Sequence, residues 1–208
     1  RPNDFSSSKK EHRKDRLEKQ KPDCPFCEGD EDKTPPEICA YRSGDSEPNT
    51  PGWWIRTVPN RFPALGIEGR SERRRVEDFY RMMDGIGAHE VIIETPQHCA
   101  TIGTMSDEQA GEVVLMYLDR FLDLKKDDRF EVITCFRNRG ERAGASLLHP
   151  HSQLIATPMV PGQLRQRLEM AFRYYDDHGD CVFCEMMKKE MQDGARVVLE
   201  NEEFVVFE

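Results

Sequence analysis

The sequence predicts an α+β fold, an antiparallel sheet flanked by helices, with a second unit of the same kind beginning near residue 170. Three observations predict it. Short runs rich in β-branched and aromatic residues recur between polar loops. One amphipathic helix with a strong start signal interrupts them. A C-x-x-C turn at 24–27 returns at 181–184, again ahead of strand-like runs, so the chain is expected to divide into 1–170 and 171–208.

Residues 1–21 carry eight Lys or Arg against four Asp or Glu and read as a solvated, mobile arm. Next comes "CPFCEGDEDKTPPEI", a cysteine knuckle followed by an acidic, proline-bearing loop. The runs "WWIRTV" (53–58) and "HEVIIE" (89–94) are expected strands. Between them, "GRSERRRVEDFYRMMDG" is too charged to be core and reads as a surface excursion. The helix follows at 106–127. Ser106 and Gln109 fit a capping box, and Asp107 and Glu108 suit the positive helix start. Ala110, Val113, Val114, Tyr117, Leu118, Phe121 and Leu122 repeat at helical spacing and read as its core stripe. A strand "FEVITCF" (130–136) leads through the loop "RNRGERAGAS" into a strand "LLHPHSQLIATP" (147–158), and a second helix is expected at about 161–177. The closing "ARVVLENEEFVVFE" reads as two strands of a new unit. Two strands cannot bury their apolar residues alone, so the sequence is expected to stop early in a second domain.

The formal net charge of −9 excludes general nucleic-acid binding through phosphate neutralisation. No apolar run approaches the roughly 18–20 residues that span a bilayer, and the first residues hold no signal-peptide core. Seven cysteines, four of them in two C-x-x-C pairs, suit metal binding in a reducing compartment better than a disulfide framework. A cytoplasmic location is the expectation.

Cys24 and Cys27 have the spacing that lets two thiolates grip one tetrahedral zinc from a tight turn. That is half a site, to be completed by Cys181 and Cys184 or by two histidines, with His98 and His149 the candidates. In the first case the second pair is used up; otherwise Cys181 and Cys184 hold another metal with ligands beyond Glu208. Cys39, Cys99 and Cys135 read as small buried hydrophobes. On a strand, His149, His151 and Gln153 share one face. A neutral imidazole held in one tautomer can attack phosphorus, and an amide can donate to a phosphoryl oxygen as charge develops. The preceding loop offers Gly140 and Gly144 for close backbone approach to phosphates, with Asn138, Arg139, Arg142 and Ser146 as further donors.

"HPHSQ", preceded by "NRGERAGAS" and by "CPFC", resembles the histidine-triad superfamily, specifically its galactose-1-phosphate uridylyltransferase branch. "VPNRFPAL" (58–65) and "HEVIIETPQHCATIGTMSDEQ" (89–109) support the resemblance, which runs along most of residues 1–165. The resemblance implies a histidine-triad-like sheet and a ping-pong reaction. His151 would attack the α-phosphorus of a nucleoside-diphosphate sugar, Gln153 would steady the nucleotidyl-histidine, and a sugar 1-phosphate would leave. It further implies a structural Zn2+ on Cys24, Cys27, His98 and His149, and nucleotide or phosphate contacts from Asn60, Asn138 and Ser146. Arg1 matches a phosphate-binding arginine that the family contributes from a neighbouring subunit, which implies a homodimer and a first strand missing from this sequence. Two residues depart from the pattern. Arg61 follows Asn60 where many uridylyltransferases have an acidic residue, and Ser152 replaces a common glycine, as in the related ADP-glucose phosphorylase branch. The functions to weigh are therefore a UDP-glucose:hexose-1-phosphate uridylyltransferase, an ADP-glucose or dinucleoside-polyphosphate phosphorylase, and a zinc-stabilised nucleotide-binding protein without catalysis. Intact His151 and Gln153 count against the last.

Overall fold

In the computed structural model, which describes residues 23–208, the four expected strands of the first unit and one more pair into one antiparallel sheet. Arg1 and the basic arm lie outside the described residues. The strands of this first unit are β1 (Cys39–Arg42), β2 (Trp53–Pro59), β3 (Arg74–Val76), β4 (Tyr80–Met82), β5 (Ala88–Ile93), β6 (Val132–Phe136) and β7 (His151–Thr157). Helix α1 (Asp107–Leu124) lies between β5 and β6 in sequence. The sheet order is β1-β2-β5-β7-β6, every neighbouring pair antiparallel. The register sets Val91 opposite both Val58 and Gln153, and Ile93 opposite His151.

The two faces of the sheet are covered differently. Ile55 and Ile92 pack against Val113 and Met116 of α1 on one face. On the other, Trp53, Val58, Val91 and Ile93 form a cluster onto which Phe26 of the cysteine knuckle packs. A bulge between Tyr41 and Arg42 pairs Arg42 with Trp53 and skips Trp54. That slip turns Trp53 to the Val58 side, where its indole N–H donates to buried Glu31 at 2.7 Å. At the other end, Gly87 crosses so close to β7 that a Cβ there would sit 2.3 Å from the Ala156 carbonyl oxygen.

The start of α1 is as expected: Gln109 N–H donates to Ser106 Oγ and Ser106 N–H to Gln109 Oε1, both at 3.2 Å. Its buried face is not. The residues turned inward are Val113, Met116, Arg120 and Leu124, whereas Val114, Leu118, Phe121 and Leu122 of the expected core stripe are exposed. The helix is rotated by a buried ion pair, in which the Arg120 guanidinium donates to both Glu90 oxygens at 2.8 Å. An unpaired carboxylate under the helix would cost more than leaving several apolar side chains in water.

Three strands lie where none was expected. β1 follows directly on the proline-bearing loop, and β3 pairs with β4 as an exposed hairpin within the charged excursion. The histidine strand is shorter than expected, being regular only from His151. Cys99 and Cys135 are exposed and Cys39 is half-buried, contrary to the expectation of three core thiols. Cys135 lies on β6, an edge strand, and Cys99 lines an open cavity.

The chain divides into two compact units, the second being Val160–Glu208. It contains α2 (Gly162–His178), α3 (Val182–Asp193) and an antiparallel pair, β8 (Val197–Glu200) and β9 (Val205–Phe207). The boundary expected at 170 falls inside α2. Among the described residues no helix is long and apolar enough to cross a membrane.

Candidate active site and metal centre

Four side chains from three separate segments converge beside the sheet. Cys24 and Cys27 come from the knuckle, His98 from the turn after β5, and His149 from the approach to β7, and their ligand atoms all lie within 4.8 Å of one another. His149 Nδ1 is 3.6 Å from Cys24 Sγ and 3.7 Å from Cys27 Sγ, and His98 Nδ1 is 3.4 Å from Cys27 Sγ. A tetrahedral ion at ordinary metal–sulfur and metal–nitrogen distances spaces such atoms about 3.3–3.8 Å apart. These residues therefore fit a tetrahedral metal ion. His149 is also oriented for it. Its Nε2–H donates to the Thr95 carbonyl at 2.7 Å, which leaves the Nδ1 lone pair facing the thiols. Burial, helped by the neighbouring His98 and His151, pushes the His149 pKa down to about 4, so the ring is neutral at pH 7. Burial raises the Cys24 thiol against the lowering pull of hydrogen bonds from Phe26 and Cys27, and a cation among the four would favour the thiolate.

Phe26, between the two cysteines, ties this centre to His151. Its ring meets the edges of His149 at 6.0 Å and His151 at 5.3 Å between centroids. His151 is buried, and its Nδ1–H donates to the backbone carbonyl of His149 at 2.8 Å. That bond fixes the tautomer with the lone pair on Nε2, the nitrogen able to act as a nucleophile. The two histidines are thus used oppositely, one offering Nδ1 and the other Nε2.

A cavity of about 600 Å³ opens beside them. Asn138, Arg139, Arg142 and Ser146 line it together with His149 and His151, as does Arg137. Gly140 and Gly144 have φ of 82° and 81°, so the loop folds back on itself as a side chain would not readily allow. Gly144 ends the tight turn 141–143 and gives its own N–H to Glu141. Three arginines against one glutamate suit an anionic ligand. Arg137 is held from behind, donating through Nε to buried Glu94 at 2.9 Å. Ser152 donates to the same Glu94 oxygen and accepts from Tyr117 of α1. The Ser152 hydroxyl therefore serves the contact between strand and helix and is fully buried.

Gln153 lies two residues beyond His151, with Asn60 and His89 beside it. His89 Nε2 is 2.8 Å from Gln153 Oε1, and Asn60 Nδ2 is 3.5 Å from the same oxygen. Cys181 and Cys184 sit at the first turn of α3, both exposed, in the second unit. Sequence reasoning missed His89, Glu94, Thr95 and Arg137 as supports of the site. His89 and Glu94 carry a signal, since a polar residue at each end of a buried strand needs a partner. Thr95 carries none, because it acts through its carbonyl.

The family model described as galactose-1-phosphate uridyl transferase, N-terminal domain, matches residues 3–161. ADP-glucose phosphorylase of Arabidopsis thaliana is 32% identical over 206 residues, 99% of this chain and 55% of that protein. Galactose-1-phosphate uridylyltransferase of Thermotoga maritima is 31% identical over 149 residues, 72% of this chain and 46% of that protein. The crystal structure of the Arabidopsis thaliana ADP-glucose phosphorylase with bound ADP-glucose superposes with a TM-score of 0.71 at 30% identity, covering 99% of this chain and 56% of that one. The chain spans about half the length of the relatives it matches. On the match over residues 3–161, it belongs to the galactose-1-phosphate uridyl transferase family.

Proposed function

We propose that the protein transfers a nucleoside monophosphate from a nucleoside-diphosphate sugar to a phosphate acceptor through His151. The observation that carries this reading is the 2.8 Å bond from His151 Nδ1–H to the His149 carbonyl, which leaves Nε2 as a nucleophile beside an arginine-lined cavity. In the first step Nε2 forms a bond to the α-phosphorus and the bond from that phosphorus to the sugar phosphate breaks, the electron pair leaving with the sugar 1-phosphate. In the second, a phosphate oxygen of the acceptor attacks phosphorus and His151 is released neutral. Gln153 donates to the phosphoryl oxygens, Asn138, Ser146 and the Gly144 loop hold the phosphates, and Asn60 supports Gln153 from beside it.

The first reading of the substrate pair is UDP-glucose and a hexose 1-phosphate such as galactose 1-phosphate, on membership of the family. A second reading, ADP-glucose and inorganic phosphate, is favoured by the similarity to the Arabidopsis thaliana enzyme, which extends over 206 residues and so into the second unit. For the metal we propose Zn2+, since two thiolates and two imidazoles in tetrahedral array suit it. Bound there, it supplies structural bracing of His149 and the knuckle. We read the second unit as the opening of a repeat of the first, with Cys181 and Cys184 as half of a second metal site, and the protein as a homodimer in which Arg1 reaches the partner's cavity.

The test is isotope exchange. With UDP-glucose or ADP-glucose and labelled glucose 1-phosphate, and no second acceptor, label should enter the nucleotide sugar. Absence of exchange with both, in a protein that completes net transfer, would exclude the covalent route.

A further inference from the structure

We infer that His89 is a positioning residue that sets which way the Gln153 amide faces, an inference that rests on the proposed transfer through His151. A glutamine can offer an incoming phosphate either its carbonyl oxygen or its amino group, and only the amino group helps. The choice between them must come from the surroundings. Here it follows from a chain of donors starting at the backbone. The Ala64 N–H points at His89 Nδ1, 3.1 Å away, so Nδ1 must be the nitrogen without a proton. The proton then resides on Nε2, which is 2.8 Å from Gln153 and can be met only by an acceptor. Gln153 therefore turns Oε1 to His89 and its amino group away.

Asn60 lies beside the same pair. Its Oδ1 accepts from Phe62 N–H at 2.9 Å, which commits its amino group to the cluster. That group lies 3.0 Å from His89 Nε2 and 3.5 Å from Gln153 Oε1. With the proton on His89 Nε2, the shorter approach is between two donors, so the bond that counts is the one to Gln153 Oε1. The orientation therefore rests on the 2.8 Å bond from His89 Nε2–H to Gln153 Oε1, and turning the amide over would set its amino group against that N–H. The register explains why His89 can do this. It sits on β5 opposite Ile155, diagonal to Gln153 on the same face of the sheet. A preoriented donor aimed where charge develops is worth about 10²–10³ in rate at most, so loss of its orientation alone should cost less, about 10–100-fold.

A double-mutant cycle on the full-length protein tests this, read as the single-turnover rate of His151 nucleotidylation with whichever of UDP-glucose and ADP-glucose the wild type uses. His89→Ala should slow nucleotidylation about 10–100-fold with little change in the donor concentration giving half-maximal rate. In a Gln153→Ala background the same substitution should cost nothing further. His89→Gln, which keeps an N–H donor, should recover part of the loss. An equal loss in both backgrounds, or no loss in either, would overturn the assignment. Zinc content reports folding, and His89→Phe, which fills the space without a donor, runs the same cycle if the alanine variant loses metal. A wild-type protein that forms no nucleotidyl-histidine with either donor would instead sink the proposed function. An active wild type with additive variants would sink only the role of His89.

Discussion

His149 and His151 show how two identical side chains, two residues apart, acquire different chemistry from one backbone oxygen each. The Thr95 carbonyl accepts from Nε2–H of His149 and the His149 carbonyl accepts from Nδ1–H of His151. The nitrogens left with a lone pair are therefore Nδ1 at the thiols and Nε2 beside the cavity. Removing one thiol tests the first assignment. Cys24→Ala should lose bound zinc and stability together, and full zinc content in that variant would remove Cys24 from the centre. Ser152 belongs to a different circuit. Its hydroxyl lies between Tyr117 and Glu94 on the helix side of the strand, on the face opposite His151 and Gln153. Ser152→Gly should cost about 1 kcal/mol in denaturant unfolding, by removing the buried hydroxyl that links Tyr117 to Glu94 while Arg137 still donates to that oxygen. The nucleobase preference should be unchanged, and a switch of preference would place the hydroxyl in recognition after all.

At the scale of elements, helix α1 is the instructive case. Its start was legible because a capping box is a local pattern, but its inward face was not. Two stripes, one through 113, 116, 120 and 124 and one through 114, 118, 121 and 122, lie about one residue of rotation apart. The apolar one looks like core. The choice is made by Glu90 on β5, which needs Arg120 above it. Arg120→Ala should destabilise by about 3–5 kcal/mol, while replacing Arg120 and Glu90 together by Met and Leu should recover most of that loss. Equal destabilisation in both would mean the pair is not what seats the helix. β1 was illegible for a related reason, since its order comes from pairing with β2 across a proline-bearing loop. At Gly87 the crossing is too tight for any side chain. Gly87→Ala should lower the unfolding midpoint by pushing Leu65 and the Ala156 carbonyl aside.

Across the whole molecule, what could be read from sequence was what short spacings encode. The C-x-x-C turn, the H-x-H strand and the glycine loop each announce their chemistry within a few residues, and the structure brings 24, 27, 98 and 149 together as a possible metal site. What could not be read was which distant partner each buried polar residue meets, such as Gln153 for His89 and Arg137 for Glu94. The four-residue centre links these scales, because Phe26, between its two cysteines, packs against the rings of both His149 and His151. Chelating the metal should lower the unfolding temperature in the wild type and leave Cys24→Ala unmoved. The central claim is that His151 itself carries the nucleotide. Intact mass of the protein mixed separately with UDP-glucose and ADP-glucose, without acceptor and under conditions that spare phosphohistidine, tests it most directly. The account predicts a UMP- or AMP-sized adduct that is absent from His151→Ala. No adduct with either donor, in folded and zinc-loaded protein, would contradict it.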